Sequence, residues 1–315
     1  PENALYPLTQ NVKSFTRVPP PILKSNWDTV KETWFQSIVE SVPGFGFDTV
    51  HVTNTGFAGW LGIKLSKIFK TPLVLTEHAL YWKEVEKGAV ALECGYQIPD
   101  NFEAKSEIVD IFKEIATEVY NSAEEVVSVS RVNIPEQIKF GAEVPKYIPN
   151  GIPEELLSPE KKRANNPVIG WIGRCAEMKN PKLFFEVVEK LSKEYPEVTM
   201  IWNEPAHNYL HEFDMICITS HNESQPLVMF EALSHKALPF GWEVGDLTSE
   251  FGFVVPKNTS TRTLVEQVAL LWNDSEKFEE LTESKFNLVS SKHTWKSIFY
   301  EYDKLFKELL IEDSL

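Results

Sequence analysis

Two glutamates, Glu223 and Glu231, stand with seven residues between them in the stretch FDMICITSHNESQPLVMFEALSHKALPFGWEVGD, residues 213–246. Upstream, Gly173-Arg174 is followed after four residues by Lys179, in GRCAEMKNP. A guanidinium and an ammonium together can neutralise a diphosphate. Two carboxylates beside them can accept hydrogen bonds from hydroxyls. A third group, Glu77-His78 with Tyr81 close behind, brings an acid, an imidazole and an aromatic ring together in TEHALY.

The surrounding elements explain how such groups could meet. Residues 213–219 read as a strand, 220–225 as a polar loop, 226–234 as a helix and 238–242 as a second strand. Pro226 suits the first helical position, where its missing N–H has no intrahelical partner. Ser224 or Gln225 then serves as the cap, and the next N–H groups form an anion-binding helix end. Glu223 precedes that end and Glu231 lies one turn inside it. Residues 167–174 (PVIGWIGR) read as a buried strand, and Asn180-Pro181 as the start of the following helix. Arg174 and Lys179 therefore flank a strand end and a helix N-terminus. Open α/β sheets bind ligands at such strand ends. Each group also has a plainer reading: Glu231 on a solvent-facing stripe, Arg174 and Lys179 as surface cations, His78 as a structural histidine in a turn.

In the first half, Asp48–Val52, residues 57–69 (FAGWLGIKLSKIF) and Pro72–Thr76 give strand, helix, strand, a βαβ unit with a parallel sheet. Further helices are expected over 27–42 and 101–121, and a strand over 125–130, with Ser130 capping the turn that follows. Tyr81, Trp82 and Lys83 read as a rim for an acceptor, and 85–101 as an irregular loop. Strand 198–202, helices 261–272 and 275–289, strand 252–255 and helix 295–310 complete the second half. His207 and His211, four apart, read as a polar surface pair. The segmentation divides the chain into 1–150, 151–292 and a helix, 293–315, crossing back to the first part.

Composition narrows the class. The 315 residues carry a net charge of −15, which argues against a nucleic-acid partner. Three scattered cysteines form no C-x-x-C, so a reducing cytoplasm is expected rather than a disulfide framework or a metal site. No run approaches the roughly 20 apolar residues of a membrane span, so membrane association is not indicated. The chain begins at Pro1, which reads as a processed, trimmed or partial N-terminus.

The spacing of Glu223 and Glu231, the GR-x4-K pair and the YIPNGI run at 147–152 resemble the retaining family 4 glycosyltransferases. Residues 51–84 resemble a subgroup of that family acting in Pel exopolysaccharide synthesis. The resemblance implies the GT-B fold, two Rossmann-like domains facing across a cleft. It also implies transfer of a hexose from a nucleotide-sugar, with a UDP-sugar such as UDP-glucose favoured, to an acceptor hydroxyl, without a bound metal or other cofactor. By the same resemblance Arg174 and Lys179 hold the diphosphate, and Glu223 the sugar hydroxyls. Gly173, Ser224, Gln225, Pro226, Leu227 and Val228 line the donor, and Glu231 meets the ribose. His78 faces the reacting sugar, with Glu77 and Tyr81 on the acceptor side. Two departures stand out. No glycine-rich loop precedes Asp48, and only residues 203–212 separate strand 198–202 from strand 213–219. That gap is too short for the family's extra βα repeat. A GT-B nucleotide-sugar epimerase and a non-catalytic sugar-binding or scaffold protein are the alternative readings.

Overall fold

The computed structural model describes residues 32, 35, 36, 48–87, 102–163, 165–193 and 208–312. The expected helix 27–42, apart from three residues, most of the loop 85–101, strand 198–202 and His207 lie outside them.

The first half is a four-stranded parallel sheet in sequential order: β1 (Val50–Val52), β2 (Leu73–Glu77), β3 (Glu125–Ser128) and β4 (Lys146–Tyr147). Its register pairs Val50 with Leu73, Val74 with Glu125 and Val127 with Lys146. Helices α1 (Phe57–Phe69), α2 (Tyr81–Glu86), α3 (Phe102–Ser122) and α4 (Ile134–Lys139) connect the strands. Leu73, Val74 and Leu75 of β2 are all fully buried. Leu73 and Leu75 meet Trp60 of α1 and Phe112, Ile115 and Val119 of α3. Val74 faces the other way, onto a helix from the end of the chain. A parallel strand covered on both faces needs a continuous apolar run, and PLVLT supplies it. Each fully buried leucine of this kind contributes about 1.5–3 kcal/mol.

The second half repeats the plan. Strands β5 (Ile169–Gly170), β6 (Met215–Ile218), β7 (Leu238–Trp242) and β8 (Phe253–Val255) are parallel and adjacent in that order. Helix α5 (Pro181–Leu191) follows β5, α6 (Leu227–Ser234) follows β6, and α7 (Thr261–Asn273) and α8 (Ser275–Lys292) follow β8. Met215 and Cys217 point to the α5–α7 side, while Ile216 and Ile218 point to Met229, Phe230 and Leu233 of α6. Asn180 opens α5 in the left-handed conformation, its side chain accepting from Leu183 N, with Pro181 in the first turn. Ser260 and Asp274 cap α7 and α8, their side chains accepting from Thr263 N and Lys277 N.

Helix α9 (Trp295–Glu312) returns to the first half. Its Ile298, Leu305 and Leu309 pack on Val74, Val127 and Ile148. Among the described residues the chain thus crosses between halves twice, and the crossings touch: Ile152 N donates to His293 O (2.8 Å) and Trp295 N to Ile152 O (2.9 Å).

Candidate active site

The loop after β5 and the loop after β6 meet directly. Lys179 closes a short 3-10 turn, Glu177–Lys179, before the Asn180 cap. Its Nζ donates to Glu223 Oε1 at 2.5 Å, with both side chains mostly shielded. Thr219 ties the same loops together, its Oγ1 lying 3.0 Å from both Lys179 O and Asn180 O. Gly173 leads into this loop, and Arg174 stands exposed beside it. Of the four charges expected to converge, Lys179 and Glu223 are in contact. Arg174 sits at the head of the Lys179 loop. Glu231 is half-buried in the second turn of α6.

A cleft of about 420 Å³ opens between the halves at this point. Leu80, Lys83, Glu84, Val132 and Asn133 line it from the first half, and Glu223, Ser224, Glu243 and Gly245 from the second. Backbone shape makes this approach possible. Gly245 has φ +56°, and a Cβ there would lie 2.3 Å from Ser224 O and 2.6 Å from Glu223 O. Only glycine lets the loop after β7 press on the backbone that carries Glu223.

The start of α6 differs from the sequence expectation. Pro226 is the cap residue, not the first helical one, and no side chain caps the helix. Leu227 is exposed at its first turn and Val228 packs partly into the core. Ser224 and Gln225 are turned to the first half instead. Gln225 Oε1 accepts from Asn150 N (2.7 Å) and Asn150 Nδ2 (2.9 Å). Gln225 Nε2 donates to Val129 O (2.7 Å) and Asp246 Oδ2 (2.8 Å). With these bonds made and its side chain buried, Gln225 joins the two halves rather than facing a donor. Ser130 is not a cap either: its Oγ donates to Ser224 O (2.9 Å) and Asp246 Oδ1 (2.8 Å). Asp246 is buried, which raises its pKa, while the hydrogen bonds from Ser130, Gln225 and Arg131 N oppose that rise.

The acceptor-side group also separates. Glu77 is the last residue of β2, fully buried, and points into the protein. Thr55 Oγ1 (2.8 Å), Tyr120 OH (2.5 Å) and Gln137 Nε2 (2.8 Å) all donate to it. Burial raises its pKa despite these donors, so its role is internal and the acceptor-side expectation for it is corrected. Tyr81 stacks edge-on against Phe112 at 4.9 Å and abuts Gly56. Trp82 is buried, so of the expected acceptor rim only Lys83 lines the cleft. His78 keeps a solvent-exposed edge. The surrounding protein lowers its pKa, and Asn150 opposes that by favouring the protonated ring.

The roles of Asn150, Ser130, Asn133, Gly245 and Asp246 were not visible beforehand. The sequence signals near them were the YIPNGI run, which holds Asn150, the Ser130 end of strand 125–130, and the VGD at 244–246.

Two parallel Rossmann-like sheets facing across a cleft, with α9 returning to the first, define the GT-B fold. The structure is similar to sucrose-phosphate synthase from Thermosynechococcus elongatus, with TM-score 0.69, 17% identity, and coverage of 92% of this chain and 81% of that one. It is also similar to the HepE protein of Anabaena in complex with UDP, with TM-score 0.70, 15% identity, and coverage of 98% and 89%. The same Anabaena protein in complex with UDP-glucose gives TM-score 0.66 at 15% identity, covering 97% and 89%. A family profile described as a domain of unknown function, DUF3492, matches residues 27–145. No curated protein sequence matches the chain.

Proposed function

We propose that the protein is a retaining glycosyltransferase that moves a hexose from a nucleotide-sugar, with a UDP-sugar favoured, to a carbohydrate hydroxyl in polysaccharide or glycoconjugate synthesis. The observation that carries this reading is the Lys179–Glu223 pair at the mouth of the second sheet, where Glu223 lines the cleft between the halves. UDP-bound and UDP-glucose-bound structures of the same fold support the choice of donor.

In this reading an incoming diphosphate draws Lys179 from Glu223, and Arg174 joins it. Fixed positive charge then stabilises the departing diphosphate, which is electrostatic catalysis by preorganised groups. Glu223, released from its cation, accepts hydrogen bonds from the donor hydroxyls. Glu231 meets the ribose, and His78 faces the reacting sugar. The departing phosphate takes the acceptor proton.

A screen of UDP-, GDP- and ADP-sugars by thermal shift tests the reading, since a ligand that binds only the folded state raises its melting temperature. Stabilisation by a UDP-sugar, followed by donor consumption that is lost in Arg174→Ala and Lys179→Ala, is the expected result. No stabilisation by any nucleotide-sugar would point to the scaffold alternative.

A further inference from the structure

The loop that carries Glu223 is held from both halves. From its own half it receives the Lys179 ion pair, the Asp246 N to Ser224 O hydrogen bond (2.8 Å), the His221 N to Met178 O hydrogen bond (2.8 Å), the bond between Gln225 Nε2 and Asp246 Oδ2 (2.8 Å) and the close approach of Gly245. From the first half, Ser130 Oγ donates to Ser224 O, Asn133 Nδ2 to Ser224 Oγ (3.1 Å), and both nitrogens of Asn150 to Gln225 Oε1. Gln225 in return donates to Val129 O. Asp246, the loop's neighbour, is itself held by Ser130 Oγ and Arg131 N (3.1 Å). Ser130, Asn133, Asn150, Gln225 and Asp246 are all buried.

The chemistry at the head of α6 points the same way. A helix start normally draws a nearby serine or amide side chain onto its free N–H groups. Here Pro226, which offers no side-chain acceptor, holds the cap position, and α6 has no side-chain cap. Ser224 and Gln225 stand just before it, and their side chains bond to Asn133, Asn150 and Val129 of the first half and to Asp246. Breaking the seam therefore both frees the loop and leaves buried donors and acceptors unpaired.

We propose that Ser130, Asn133 and Asn150 are positioning residues for Glu223, holding its loop in ligand-binding shape from across the cleft. The proposal rests on the reading of Glu223 as the donor-sugar ligand.

The test compares full-length wild type with Ser130→Ala, Asn133→Ala and Asn150→Ala, keeping each variant that melts cooperatively. Hydrogen–deuterium exchange without ligand is read over residues 220–225 and over α7 and α8. The expected result is about tenfold faster exchange in the loop, with α7 and α8 unchanged, the mark of local rather than global opening. Loop exchange equal to wild type in every cooperative variant overturns the proposal. So does wild-type exchange already as fast as the variants'. In kinetics with a UDP-sugar, donor KM should rise about tenfold with a smaller change in kcat, as for loss of a binding contact. A loss of stability alone would reduce the active fraction and leave KM where it was. Should wild type consume no donor, the transferase reading fails, and the exchange measurement still decides whether the first half holds the loop.

Discussion

Lys179 and Glu223, 44 residues apart in sequence, form one charge pair between the loops that follow β5 and β6. With both side chains mostly out of solvent, neither charge is well accommodated without the other. The pair is therefore a structural tie at rest and, on the proposed reading, the source of a cation for the diphosphate once a donor arrives.

This predicts coupled losses. Lys179→Met and Glu223→Gln should each lower stability, and the double variant should lose less than their sum. Urea denaturation of the four proteins should give a coupling of about 1–3 kcal/mol. Additive losses would mean that the pair contributes nothing as a pair. Turnover in Lys179→Met should drop on the order of 10²-fold.

Gly245→Ala should disturb the site without touching any charged group. Its positive φ and the 2.3 Å approach to Ser224 O leave no room for a methyl group. A loss of about 1–3 kcal/mol is expected from the strain, along with weaker nucleotide-sugar binding. Melting temperatures and donor titrations of Gly245→Ala and wild type should diverge; equal values would show that the loop accepts a side chain there.

Glu77 should govern part of the pH dependence of stability. Burial raises its pKa in the folded protein above the ordinary 4.5. The folded state therefore binds more protons than the unfolded state as pH rises above that value. Its contribution is fully present below 4.5 and is lost as pH climbs through the raised pKa. Glu77→Gln should flatten the fall in stability on the alkaline side of 4.5, measured by denaturation across pH 4 to 8. An unchanged slope would show that another group is responsible.

Chelation should leave activity intact. The proposed diphosphate site draws its positive charge from Arg174 and Lys179. Donor turnover with EDTA, and after added magnesium, should be the same within error. A magnesium requirement would move the leaving-group role away from these two residues.

Much of the architecture was legible from periodicity. FAGWLGIKLSKIF forms its helix over Phe57–Phe69, and LPFGW its strand over Leu238–Trp242. Both signals are local, set by neighbours within a turn or a pleat. Asn180-Pro181 opened α5 as anticipated, because a cap is also a local bond. The direction of Glu77 was not legible. In a strand buried on both faces, an apolar run carries no alternation to show which side a terminal carboxylate takes. Gln225 was misread for a related reason. A side chain near a helix start has a favoured local partner, but its actual partner, Asn150, lies 75 residues away. Nothing in the spacing of one segment reports a bond of that range.

The contact of Ile152 with His293 and Trp295 has a practical consequence for engineering. Because the outgoing and returning chains lie side by side there, a single protease cut near Ile152 would leave the molecule in one piece, still pinned by α9 on the first sheet. Severing either connection alone should convert the polypeptide into a nicked form rather than into two free modules. A split version of this protein would need both crossings cut, with α9 travelling alongside the fragment that it covers.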